Sequence, residues 1–208
     1  MTRAERAVFI VDDDPGVRDS LKFLVEGEGH TVECFDCAPA FLDRARMPMA
    51  GCLVADLRLP GMSGLEMHEK LKAMDVSLPT IMISGHGDVP VAVRALQAGI
   101  IDFLEKPFSD RALLDRVAAA VEDDARRREE DRGREALLTR YGKLSPRERQ
   151  VMTGVVKGRL NKQIAADLGL SHKTIEVHRS HVMDKMRASS LAELVRMAME
   201  IDLDDEQA

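Results

Sequence analysis

Short runs of consecutive apolar residues recur along the first 120 positions, and each is followed by polar or turn-forming residues. Ala7-Val8-Phe9-Ile10-Val11, Thr31 to Phe35, Cys52 to Ala55, Pro79 to Ser84 and Ile100 to Leu104 are short enough and β-branched enough to read as buried strands. The segments between them carry apolar residues at helical spacing. Helices are expected after Pro15 (through Leu21, Phe23, Leu24 and Val25), at Ala38 to Ala45, at Leu65 to Met74, at Val89 to Ala98, and from a Ser109 cap to about Glu122. Gly27–Gly29, Gly85, Gly87 and Gly99 punctuate the pattern. Strands alternating with helices predict an α/β fold: a (βα)5 unit whose five-stranded parallel sheet is covered on both faces. Right-handed crossovers bring all strand C-termini to one edge.

Beyond Glu122 the pattern changes. Arg126-Arg127-Arg128-Glu129-Glu130-Asp131-Arg132 is a mixed charge run with almost no apolar residues, read as a solvated helix or tether. From Leu144 onward helical periodicity returns without strands. Ser145 and Glu148 form a capping box with Pro146 at the first helical position. Asn161 is the expected cap of a second helix, Gly169-Leu170 the turn, Ser171 the cap of a third helix reaching Met186, and Ser189 the start of a fourth. This all-α region is a four-helix unit containing a helix-turn-helix. The expected domains are 1–122, a charged linker 123–142, and 143–208.

Charge is segregated between them. Residues 1–121 hold 13 Lys+Arg against 19 Asp+Glu, and residues 143–199 hold 11 against 5, within a net charge of -6. A basic helical unit suits phosphate backbones. With no Trp and Tyr141 as the single Tyr, an aromatic platform for single-stranded nucleic acid is not expected. Cys34, Cys37 and Cys52 make no disulfide framework, and the lone Cys34-x-x-Cys37 reads as chance spacing. No stretch suits a membrane span or signal peptide, so a cytoplasmic protein without membrane association is expected.

The polar residues that end the strands carry the chemistry. Asp12 and Asp13 follow the first strand, Asp56 the third, Ser84 the fourth and Lys106 the fifth. Clustered carboxylates repel one another and invite a hard divalent cation, Mg²⁺ or Mn²⁺, which suits a phosphoryl substrate. Asp56 is then a candidate nucleophile, Ser84 a hydrogen-bond donor to a phosphoryl oxygen, and Lys106 a neutralising point charge.

The acidic pair, the Asp56-x-x-x-Pro60-Gly61-x-x-Gly64 turn, Ser84 and Lys106-Pro107 together resemble the receiver domain of two-component response regulators, over residues 5–122. The resemblance implies a flavodoxin-like receiver in which Asp56 takes a phosphoryl group from a sensor histidine kinase. It implies Mg²⁺ held by Asp13, Asp56 and the Arg58 backbone carbonyl, with Asp12 in support. Ser84 and Phe103 match the switch hydroxyl and switch aromatic. Residues 143–201 resemble the LuxR-type helix-turn-helix through Leu144-Ser-Pro-Arg-Glu-Arg149, Asn161-Lys-x-Ile-Ala165 and Thr174-Ile-Glu-Val-His-Arg179. That resemblance makes Ser171–Met186 the recognition helix on double-stranded DNA. Glu176, Val177 and Ser180 would face base edges, and Asn161, Lys162, Lys173, Thr174, Arg179 and Lys185 would anchor phosphates. His178 and His181 share a helix face, but nothing completes a metal site, and a structural or phosphate-contact role is expected for them. Both domains, with Ser84-Gly-His-Gly-Asp-Val-Pro90, are similar to the FixJ branch of the NarL/LuxR-type regulators.

The expected function is therefore a two-component response regulator, a phosphorylation-switched transcription factor rather than an enzyme, with at most slow self-dephosphorylation. By resemblance, phosphorylation produces a homodimer through a face including Pro90, Val91, Arg94 and Gln97. A phosphohydrolase is the enzymatic rival, but such enzymes commonly place a second acid two residues after the nucleophile, where this chain has Arg58. A phosphorylation-independent DNA-binding protein with a vestigial receiver is the other rival, and the full acceptor set argues against it.

Overall fold

The structure, a computed structural model, describes residues 6–85 and 89–201, the side chains of 89–92 excepted. The chain divides into two compact units, Met1–Arg128 and Glu129–Ala208. The first contains β1 (Arg6–Val11), α1 (Pro15–Gly27), β2 (Thr31–Phe35), α2 (Ala38–Arg44), β3 (Ala50–Asp56), α3 (Gly64–Ala73), β4 (Thr80–Ser84), α4 (Val89–Gln97) and β5 (Asp102–Glu105). The strands form one parallel sheet in the order β2-β1-β3-β4-β5.

Side chains alternate across this sheet with a period of two. Phe9, Val11, Leu53, Ala55 and Met82 point to one face and pack with Phe41 of α2, Met67 and Leu71 of α3 and Ala95 of α4. Val8, Ile10, Cys52, Val54, Ile81 and Ile83 point to the other, against Leu21 and Val25 of α1 and Leu113 and Val117 of the helix that follows β5. Coverage of both faces explains why the strands read as continuous apolar runs.

That last helix, α5, runs from Asp110 to Gly142 instead of stopping near Glu122. Its charge run is sustained by neighbours one turn apart: Arg126 with Asp123, Arg127 and Arg128 with Asp124, and Arg132 with Glu129. Nor is the whole stretch solvated. Asp124 is 1% exposed and its Oδ2 accepts from Gly51 N at 2.9 Å. Gly51 has φ +119°, and a Cβ there would lie 1.9 Å from the Ala7 carbonyl oxygen. Only glycine lets the entry of β3 come this close to β1 while reaching Asp124.

The second unit packs the end of α5 with α6 (Pro146–Val156), α7 (Asn161–Leu168), α8 (His172–Met186) and α9 (Leu191–Glu200). Its core is Leu137, Val151, Met152, Ile164, Ile175, Val182, Met186 and Leu194 with their neighbours. The Ser145–Glu148 capping box and the Ser171 cap form as expected. Two starts differ from expectation. Leu160, not Asn161, is the N-cap of α7, because the Gln163 side chain accepts from the Leu160 amide at 2.8 Å. Ser190 caps α9, while Ser189 donates to Glu193. Gly169 turns between α7 and α8 with φ +65°. Among the described residues, no helix is long and apolar enough to cross a membrane.

Candidate functional site

Where the strand order reverses, between β1 and β3, the C-terminal edge of an open α/β sheet opens a crevice. Asp12 and Asp56 flank it, 2% and 8% exposed. The three consecutive aspartates take three different jobs. Asp12 points inward, its Oδ1 accepting from Asp14 N at 2.9 Å. Asp13 is exposed. Asp14 caps α1, its Oδ1 accepting from Gly16 N at 2.7 Å and Val17 N at 3.2 Å. Arg18 braces the turn by donating to the backbone carbonyls of Asp12 and Asp13.

Lys106 joins the two edges of the crevice. Its Nζ lies 2.9 Å from Asp56 Oδ1 and 3.1 Å from Asp12 Oδ2. Burial alone would lower the lysine pKa, but the hydrogen bonds to Asp56 and Asp12 outweigh it and hold the ammonium above its ordinary range. A backbone bond from Lys106 N to Ser84 O at 2.7 Å fixes β5 beside β4 at this level. Ser84 is 1% exposed at the end of β4. Phe103 is half-buried against the core on the α2–α4 face.

The turn after Asp56 returns to the site. Arg58 N donates to Asp56 Oδ2 at 2.6 Å, Leu57 N to Ile83 O, and Gly64 N to Leu57 O. A Cβ on Gly64 would sit 2.3 Å from the Asp56 carbonyl oxygen and 2.8 Å from Met82 Sδ. The second glycine of the Pro-Gly-x-x-Gly turn thus lets α3 begin directly on the strand that carries Asp56. The residues expected at one rim, Asp12, Asp56, Ser84 and Lys106, come to that rim, with Lys106 touching both carboxylates. Oxygen donors of Asp12 and Asp56, with exposed Asp13 next to Asp12 in the chain, are the hard donor type that Mg²⁺ takes.

On α4, Arg94 and Gln97 are exposed; the side chains of Pro90 and Val91, and all of His86, Gly87 and Asp88, lie outside the described residues. Val93, Leu96 and Ile101 are 48%, 52% and 47% exposed. The sequence pattern predicts a helix over Val89 to Ala98 and does not single out this apolar surface.

In the helical unit, Lys173, Glu176, Val177 and Ser180 are exposed on α8, with Thr174 and Arg179 partly so and Lys162 exposed on α7. Asn161 Oδ1 accepts from Arg179 Nη1 at 2.5 Å, so these two hold α7 to α8. Lys185 donates to Glu148 Oε2 at 2.6 Å. That bond, ahead of the capping bonds from Ser145, brings the Glu148 carboxyl down to about 2. Glu148 also lies against His178 and His181. Sequence spacing gave no sign of this, since the contact joins helices 30 residues apart.

Comparison with known proteins assigns both units. Residues 8–118 match the model for the response regulator receiver domain, and residues 142–198 that for bacterial regulatory proteins of the luxR family. The transcriptional regulatory protein FixJ of Bradyrhizobium diazoefficiens is 46% identical over 196 residues, 92% of this chain and 94% of that protein. Response regulator protein TodT of Pseudomonas putida is 42% identical over 197 residues, 95% of this chain and 87% of its own. Among solved structures, response regulator StyR matches with a TM-score of 0.85 at 43% identity, covering 95% of this chain and all 100% of that one. Full-length FixJ from B. japonicum matches with a TM-score of 0.60 at 42% identity, over 97% and 99% of the two chains. Receiver sheet, helix-turn-helix and whole-chain likeness agree: the chain belongs to the FixJ-like two-component response regulators, transcription regulators with a receiver and a LuxR-type DNA-binding domain.

Proposed function

We propose that Asp56 is the phosphoacceptor, and that its phosphorylation by a sensor histidine kinase promotes dimerisation and sequence-specific DNA binding. The observation that carries this reading is the Lys106 ammonium held between Asp56 and Asp12, with Ser84 buried at the end of neighbouring β4. A carboxylate at the rim, a fixed cation and a hydroxyl are the nucleophile and the charge stabilisers of phosphoryl transfer. The Asp56 carboxylate oxygen bonds to phosphorus as the P–N bond of the donor phosphohistidine breaks. Lys106 follows the charge from the carboxylate to a phosphoryl oxygen, and the Ser84 hydroxyl donates to another.

Asp13, Asp56 and the Arg58 carbonyl, with Asp12 in support, would hold Mg²⁺ or Mn²⁺. Such an ion neutralises charge on the transferring group. Phe103 turns inward when Ser84 moves, reshaping the α4–β5 face. Exposed Val93, Leu96 and Ile101 beside Arg94 and Gln97 support that face, with Pro90 and Val91, as the dimer contact. A dimer presents two α8 helices to a roughly two-fold symmetric site. Glu176, Val177 and Ser180 read bases, and Asn161, Lys162, Lys173, Thr174, Arg179 and Lys185 set register on phosphates. The receiver is 1–122, the connector 123–142 and the DNA-binding domain 143–208. The protein works in the cytoplasm, and its own chemistry is limited to slow loss of the phosphoryl group.

Beryllofluoride with Mg²⁺, a phosphoryl mimic, tests the switch. Sedimentation should show a dimer for the parent protein and a monomer for Asp56→Asn under the same conditions. A parent protein that ignores beryllofluoride contradicts the reading.

A further inference from the structure

His178 and His181 lie one turn apart on α8, and Glu148 of α6 faces them. One ligand atom from each lies within 4.8 Å of the other two. Glu148 divides its work between its oxygens. Oε2 accepts from Ser145 N at 2.7 Å and from Lys185 Nζ at 2.6 Å. Oε1 faces His181 Nδ1 at 3.6 Å, too far for a hydrogen bond. His178 Nδ1 is buried and has no hydrogen-bond partner among the described residues. A buried polar atom left unpaired is costly and calls for a physical explanation. The ring that carries it lies beside a second imidazole and a carboxylate that is steered from behind through its other oxygen. That is how outer-shell partners orient a metal ligand. The His181 side chain is 54% exposed and gives an ion a way in.

We propose that Glu148, His178 and His181 form a binding site for a zinc-class divalent cation, tying the recognition helix α8 to α6. Two imidazoles and one carboxylate are a three-ligand set for four-coordinate Zn²⁺, with water in the remaining position. Co²⁺, Ni²⁺ and Cu²⁺ suit the same nitrogen donors, whereas Mg²⁺ prefers an all-oxygen octahedron. The site therefore differs in kind from the carboxylate cluster of the receiver and does not rest on the phosphorylation reading. Lys185 acts in two ways: it fixes the carboxylate, and its positive charge opposes the cation. An occupied site stiffens the helix that faces DNA, making promoter affinity metal-dependent.

The test uses untagged full-length protein with Cys34→Ser and Cys37→Ser, which remove the thiol pair, in saturating Mg²⁺, which occupies the receiver carboxylates. Co²⁺ is titrated in and followed by visible absorption. The expected result is one equivalent with the intense bands of four-coordinate Co²⁺, bleached by Zn²⁺. His178→Ala and His181→Ala should each weaken binding by roughly tenfold or more, and Lys185→Met should tighten it. Because His181 is exposed, its variant should keep the parent's circular dichroism and melting profile, so a lost band reports ligation. Absence of the four-coordinate spectrum in the parent overturns the proposal, as does a folded His181→Ala variant that titrates like the parent.

Discussion

At the scale of single residues, Lys106 decides what the receiver edge can do. Its ammonium spans Asp12 and Asp56, whose carboxylates would otherwise repel each other across the crevice. The same charge opposes a divalent cation at those carboxylates. Lys106→Met is therefore expected to move two readouts in opposite directions. Mg²⁺ affinity, measured calorimetrically, should rise, while dimerisation in beryllofluoride should fall. A fall in both would mean that Lys106 organises the carboxylates for the metal and does not compete with it. The rim residues were legible because each stands at the end of an apolar run, and the alternation of strand and helix brings those ends together. The division of labour within Asp12-Asp13-Asp14 was not legible. It depends on backbone direction at the end of β1, which turns Asp12 inward and leaves Asp14 to cap α1. The third ligand beside His178 was hidden for a different reason. Glu148 carries a strong local signal as a capping residue, and nothing in the sequence tells that its other contacts lie on α8.

At the scale of elements, the caps hold the functional helices in place. Ser63 and Glu66 form a capping box at the start of α3, the helix seated on the Asp56 strand. Glu66 Oε2 accepts from the Ser63 amide and hydroxyl, both at 2.8 Å, and these bonds, the backbone one first, hold its carboxyl below the usual range. A depressed folded-state pKa stabilises the fold above the ordinary glutamate value of 4.5 and loses that contribution as pH falls below it. Glu66→Gln should thus lower the melting midpoint at pH 7 and do so less at an acidic pH below 4.5, as scanning calorimetry would show. An equal deficit at both pH values would assign the effect to geometry and not to charge. Element identity was readable wherever periodicity ran unbroken, as in β1, β3 and α8. Ends were less so. The α7 start moved to Leu160 because a glutamine one turn on captured its amide, and the end of α5 moved beyond Glu122 because charged neighbours on one helix pair with each other.

At the scale of the molecule, an acidic receiver and a basic helical unit meet different partners, a division visible in the charge counts before any fold is known. For DNA the distinction between anchoring and reading has a measurable form. Lys173→Ala should weaken binding evenly across sequences and reduce the salt slope of affinity by about one counterion. Glu176→Ala should leave the slope nearly as it was and relax base preference at one position per half-site. Fluorescence anisotropy over a salt series, with matched and mismatched duplexes, separates the two. An exchange of these effects would reverse the assignment of which side of α8 faces the groove.

The central claim, that Asp56 is the residue that receives the phosphoryl group, is tested most directly by locating that group. Full-length protein treated with a small-molecule acyl phosphate and Mg²⁺ is reduced with borohydride, which converts an aspartyl phosphate to homoserine, and digested for mass spectrometry. A single modification at Asp56, absent from Asp56→Asn, is the predicted result. Modification at another carboxylate in the parent protein, or none under conditions where it dimerises, would contradict it.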